Sequence, residues 1–159
     1  MNLPAEIARH VRQVYFGGNW SDTNFRDTLK DIDWRRADAK IGHHNSIAAL
    51  VFHLGYYTKG VSEVLREQPL TIRDKFSFAN MPLQSEQEWQ ARRAAFLAEG
   101  EIFAALIEQL PAETLATDFT DPKYGHYHTN LWGMVEHLHY HLGQVALLKK
   151  LLPTGPVID

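Results

Sequence analysis

Residues 45–67 read NSIAALVFHLGYYTKGVSEVLRE, and this stretch decides the fold. Ile47, Leu50, Val51, Leu54, Val61 and Leu65 recur at the i, i+3, i+4, i+7 spacing of one helix face. Asn45 or Ser46 stands where a cap belongs, and Gln68-Pro69 follows as a stop. It is the most regular stripe in the chain, and a helix with one apolar face has to bury that face against a neighbour.

Working outward, three further long patterns appear. The first covers residues 4–16, with Pro4 in its first turn, apolar Ile7, Val11 and Val14, and a halt at Gly17-Gly18-Asn19. A short helix is expected over residues 23–29, capped by Ser21, Asp22 or Thr23. Residues 31–44 are polar and Trp-punctuated without a clear period, and read as a connection. Residues 70–84 form a second connection whose Phe76, Phe78, Met81 and Pro82 point to packing over something, as a lid, binding element or partner contact does. Ser85-Glu86-Gln87-Glu88 matches a capping box and opens a third long helix that runs to Leu110, before Pro111. The fourth is expected over residues 129–152, ahead of Pro153 and Gly155. No stretch alternates as a core strand does; residues 118–128 could hold a small hairpin at most. The expected fold is all-α, a four-helix bundle.

Composition narrows the function classes. At 159 residues and 45% hydrophobic, one domain over residues 1–159 can bury a core without staples. The absence of cysteine excludes disulfide scaffolds, cysteine nucleophiles and thiolate zinc sites, so any metal is held through nitrogen and oxygen. A net charge of −3 with no basic tract gives no nucleic-acid footprint. No run of 18 apolar residues occurs, and Glu6, Arg9 and Arg12 interrupt the first apolar stretch, so a soluble cytoplasmic protein with no membrane partner is the expectation.

Nine histidines are the one oddity. His137 and His141 lie i, i+4 on the fourth helix, about 40° apart on one face, where two imidazoles can reach one ion. His139 points away from both. The stripe of that helix is centred on Leu131, Val135, Leu138 and Leu142, with His141 near its margin and His137 further round. His53 lies at the margin of the second long helix in the same sense. Nine histidines in 159 positions yield about 0.5 such pairs by chance, and a lone histidine beside an apolar stripe is often a hydrogen-bonded core residue, so spacing alone leaves both readings open. Glu136 points outward as a solvated charge. His43 and His44 read as loop or capping residues, His10 as ordinary, and His126 and His128 as loop packing near enough to line a cleft. Tyr56 and Tyr57, a turn beyond His53, read as core aromatics that could meet a substrate, and Trp20, Trp34, Trp89 and Trp132 as core and interface packing.

The order of features resembles the DinB-like superfamily of small helical bundles: the Asn19-Trp20 turn, then Asn45-Ser46-Ile47-Ala48-Ala49-Leu50-Val51-Phe52-His53, then His137-x-x-x-His141-x-Gly143-Gln144. Leu142 stands where the family pattern usually has Arg, and Tyr140 where it often has His. The resemblance implies an up-down-down-up bundle with a long connection between the second and third long helices, and a homodimer. It further implies His53, His137 and His141 as the three ligands of a metal. Three neutral imidazoles suit Zn²⁺, Ni²⁺ or Fe²⁺ and leave a position open. Gln144 could hold a ligand histidine by a hydrogen bond, and Gly143 could serve close helix packing. Members of the superfamily are transferases and isomerases that use low-molecular-weight thiols, with a minority of hydrolases. The implied enzyme acts on a small molecule through an ion that lowers the pKa of a bound water or thiol. The alternative is a non-catalytic or stress-associated protein whose ion is structural or sensed.

Overall fold

The structure, a computed structural model, describes residues 2–79 and 81–153. Six α-helices appear among them: α1 (Leu3–Phe16), α2 (Phe25–Leu29), α3 (Trp34–Asp38), α4 (Ile47–Leu65), α5 (Glu86–Glu108) and α6 (Tyr127–Leu151). Short 3-10 turns occur at Asp74–Phe76, Ala112–Ala116 and Pro122–Tyr124. The chain is all-helical as expected, and residues 118–128 contain one isolated antiparallel bridge, Asp118 to His126. No helix of the described residues is long and apolar enough to cross a membrane.

α1, α4, α5 and α6 correspond to the four long patterns, and their ends follow from their caps. The Ser46 hydroxyl accepts the Ala49 N–H at 3.2 Å, and the Ser85 hydroxyl accepts the Glu88 N–H at 3.2 Å. The Glu88 carboxylate accepts from the Gln84 N–H at 2.7 Å, one residue earlier than in a capping box. α5 ends at Glu108 instead of Leu110, because the Leu110 N–H donates to Ile107 and tightens the last turn. α6 starts at Tyr127, two residues before the expected 129, with His126 as N-cap. Gly155 lies outside the described residues.

The connections depart more. α2 is capped by Asn24, whose Oδ1 accepts the Asp27 N–H at 2.9 Å, not by Ser21, Asp22 or Thr23. Residues 31–44, expected as a connection, contain α3; five residues are too few to display a helical period, and the cap Asp33, accepting from the Arg36 N–H at 3.0 Å, is its signal. Trp20, expected to pack, is fully exposed at 105%. It rides on a turn that Asn19 holds from below, its amide donating to the carbonyls of Gln13 and Thr23.

The expected stripes face the core. Ile47, Leu50, Val51 and Leu54 of α4 are buried with Leu131, Val135, Leu138 and Leu142 of α6. Arg12 of α1 ties to α5 at Glu101 (2.9 Å) and Glu108 (2.8 Å). Tyr15 donates or accepts across to Thr58 of α4 at 3.2 Å, both fully buried. Trp89 is fully buried and donates its indole N–H to the Ile32 carbonyl at 2.6 Å. Tyr15 fits only because position 100 is glycine, since a Cβ there would lie 2.5 Å from the ring.

Two helical glycines should therefore respond oppositely to alanine. Gly100→Ala overpacks Tyr15 and is expected to destabilise by about 1–3 kcal/mol. Gly133→Ala, whose Cβ meets nothing within 4 Å, is expected to stabilise α6 by about 0.5–1 kcal/mol. Urea denaturation of both variants checks the pair; equal signs would refute the packing assigned to Tyr15.

Candidate metal centre

α4 and α6 bring His53, His137 and His141 together. One nitrogen from each lies within 4.8 Å of the other two. The ring centroids are 4.9 Å (His53–His137), 4.8 Å (His53–His141) and 4.7 Å (His137–His141) apart, with interplanar angles of 80°, 73° and 74°. Three edges thus converge on one point, with His53 and His141 buried and His137 half-buried.

Two of the three outward nitrogens are tied off. His53 Nδ1 donates to the Ser77 carbonyl at 3.3 Å, which leaves its Nε2 a lone pair. His141 Nδ1 pairs with Gln144 Oε1 at 2.7 Å. The Nε2 atoms of His53 and His137 approach to 3.0 Å. Without an ion, a proton on His137 holds that contact. The spacing is near the roughly 3.3 Å between two nitrogens about 2.0–2.1 Å from a tetrahedral zinc. Outward hydrogen bonds that orient inward lone pairs are what a histidine metal site requires, and the donor set of three imidazoles without thiolate suits Zn²⁺, Ni²⁺ or Fe²⁺.

Burial keeps the three imidazoles neutral. Desolvation, and then the neighbouring imidazoles of His141 and His53, push His137 down to about 4. Desolvation, then His141, lowers His53, against the Ser77 carbonyl and Asp74. Desolvation lowers His141, with the Gln144 bond opposing.

The connection over residues 70–84 packs against the cluster in part. Phe78 stacks on His53 at 4.0 Å and 12°, and Ser77 is buried. Phe78 nevertheless remains 41% exposed, and Phe76, Met81 and Pro82, also expected to pack, are exposed; Lys75 lies over the Phe76 ring instead. Tyr57, read as a core aromatic, packs edge-on against His53 (5.0 Å) and His137 (5.3 Å), and its hydroxyl donates to Asp74 Oδ1 at 2.6 Å. Burial and Asp74 hold that phenol above its ordinary value. Ser77 left no sequence signal, because it acts through its backbone. Asp74 could have been flagged only by knowing which tyrosine it would face.

The remaining histidines stay outside. His139 donates to the Val135 carbonyl at 3.0 Å, His126 sits 3.4 Å from Asp118, and His128, His43 and His44 are exposed. His10 packs on Trp132 at 5.2 Å. Glu136 is exposed, as expected of a solvated charge. Leu142 is buried in the core, where an arginine would have to find partners, and Tyr140 is exposed beside His141.

The family model of the DinB superfamily matches residues 19–145, a span that contains the cluster, its connection and the Asn19-Trp20 turn. The chain belongs to the DinB superfamily. Comparisons with curated proteins and with solved structures return no match.

For this DinB-superfamily chain the acid response follows from the lowered histidines. The unfolded chain takes up protons near the ordinary 6.5, whereas in the folded cluster all three are lowered, His137 to about 4. Stability of the metal-free protein is therefore complete above about pH 6.5 and is expected to decline as the pH falls toward 4. Urea titrations across that range should show a shallower decline in His137→Gln than in the wild type; parallel curves would place the acid sensitivity elsewhere.

Proposed function

We propose that the chain binds one divalent transition ion, Zn²⁺, Ni²⁺ or Fe²⁺, through His53, His137 and His141, and uses it as an enzyme of the thiol-dependent transferase or isomerase type. The observation that carries the metal reading is the convergence of three imidazoles, two of them with Nδ1 bonded outward. A bound ion supplies Lewis acidity, lowering the pKa of a water or thiol that reaches its open position. Ser77 and Gln144 hold two of the imidazoles in register, Phe78 stacks on His53, and the Tyr57 ring, fixed by its hydroxyl on Asp74, packs edge-on against His53 and His137.

The helix pairings support an up-down-down-up bundle. Gly55 meets Phe96 while Tyr15 joins Thr58 to Gly100, so α4 and α5 run the same way, and Val61 shares a cleft with Met134 as Leu50 does with Leu148, so α6 opposes α4. On α6, Tyr140, Leu147 and Leu151 are exposed on one face with Gly143 between them, an apolar stripe that supports reading the protein as a two-fold homodimer.

Metal analysis of the purified protein should give one ion per chain in the wild type and little in His53→Ala or His137→Ala; undiminished metal in both variants would overturn the assignment. Gln144→Ala is expected to weaken the metal about 10–100-fold. Thiol cofactors offered with electrophilic substrates should give turnover that a chelator abolishes. Loss of melting temperature on chelation with no turnover would make the ion structural. Light scattering should report a dimer that Leu147→Glu with Leu151→Glu converts to a monomer.

A further inference from the structure

A cleft of about 570 Å³ opens beside His137, between α4, the start of the 70–84 connection and the first turns of α6. Its size suits a small ligand. Val61, Phe119 and Met134 give it an apolar floor. Gly133, one helical turn before His137, also lines it, and a Cβ there would meet nothing within 4 Å.

Two formal charges line this cleft, Arg73 and Asp74. Asp74 is engaged by the Tyr57 hydroxyl at 2.6 Å. Arg73 is different. It is exposed and, like several other arginines, belongs to no ion pair among the described residues. Its backbone is clamped, the N–H donating to the Tyr56 hydroxyl at 2.8 Å and the carbonyl accepting from that hydroxyl at 3.2 Å. Next to it, Ile72 presses where only a glycine, Gly60, leaves room. A charged residue with a fixed backbone and no ion pair, standing at the edge of an apolar cleft, is placed where it can meet an anionic group from outside.

We propose that this cleft binds the substrate, a small molecule with an apolar body and a carboxylate, that Arg73 anchors the carboxylate, and that Gly133 is glycine because the body lies over it. Arginine pairs with a carboxylate through two parallel N–H bonds, which fixes orientation as well as charge. The proposal rests on the metal-site reading only for what happens at His137; the binding itself does not need the ion.

The test uses 3-phenylpropionate and its amide as probes, titrated calorimetrically into metal-free and metal-loaded protein, with metal content measured in parallel. The acid is expected to bind about tenfold or more tightly than the amide. Arg73→Gln should erase the difference, and Gly133→Leu should abolish both while metal content stays at the wild-type level. Gly133→Ala, which folds at least as well, should weaken both and guards against misfolding of the leucine variant. Equal affinity for acid and amide, no binding of either at low-millimolar concentration, or binding indifferent to both substitutions would overturn the proposal. A chain that takes up no metal but still discriminates acid from amide through Arg73 would sink the metal reading and leave the cleft intact.

Discussion

One face of α4 anchors the wall of the site. His53, Tyr56, Tyr57 and Gly60 fall at i, i+3, i+4 and i+7, a stripe beside the one that faces the core. Each receives a successive piece of the 70–84 connection: Ser77 at His53, Arg73 at Tyr56, Asp74 at Tyr57 and Ile72 at Gly60. Loop backbone is thereby held by side chains of a rigid helix, and a segment whose described residues carry one 3-10 turn becomes a fixed wall. The tautomer of His53, the position of Phe78 over it and the shape of the neighbouring cleft all depend on that clamp.

The second constraint is electrostatic. Three imidazoles share a partly dry pocket with no carboxylate among them, so a proton on any one is opposed by desolvation, and the approach of the rings to one another adds to this at His53 and His137. Such a pocket keeps its imidazoles neutral, the form in which they could hold a metal ion. Asp74 lies close enough to act on His53, but its carboxylate is turned to Tyr57, which keeps it as an orienting group.

Much of this was legible along the chain because it is local. The four long helices announced themselves through caps and 3.6-residue periodicity, and Ser46, Ser85 and the Pro residues set their ends to within two or three positions. α3 was not legible, being shorter than the window in which a period shows, and the exposure of Trp20 was not, because composition says nothing of which way a turn points. The trio His53, His137 and His141 was nameable because two of its members share a helix face and the third matched an ordered motif. Tyr57 packs against the core as its helical spacing implies, but its bond to Asp74 depends on a residue 17 positions away and leaves no mark on that spacing.

The sequence by itself determined what neighbours in the chain can determine: where helices start and stop, which face of each is apolar, that His137 and His141 point the same way, and that no thiolate could join them. Only the tertiary structure decided that His53 meets them across α4 and α6, that a backbone carbonyl of Ser77 orients it, and that Arg73 is left beside an open cleft. The reason is physical. Helix periodicity is a property of consecutive residues, whereas a hydrogen bond from His53 to Ser77 spans 24 positions and uses a group every residue carries, so it leaves no mark on composition or spacing.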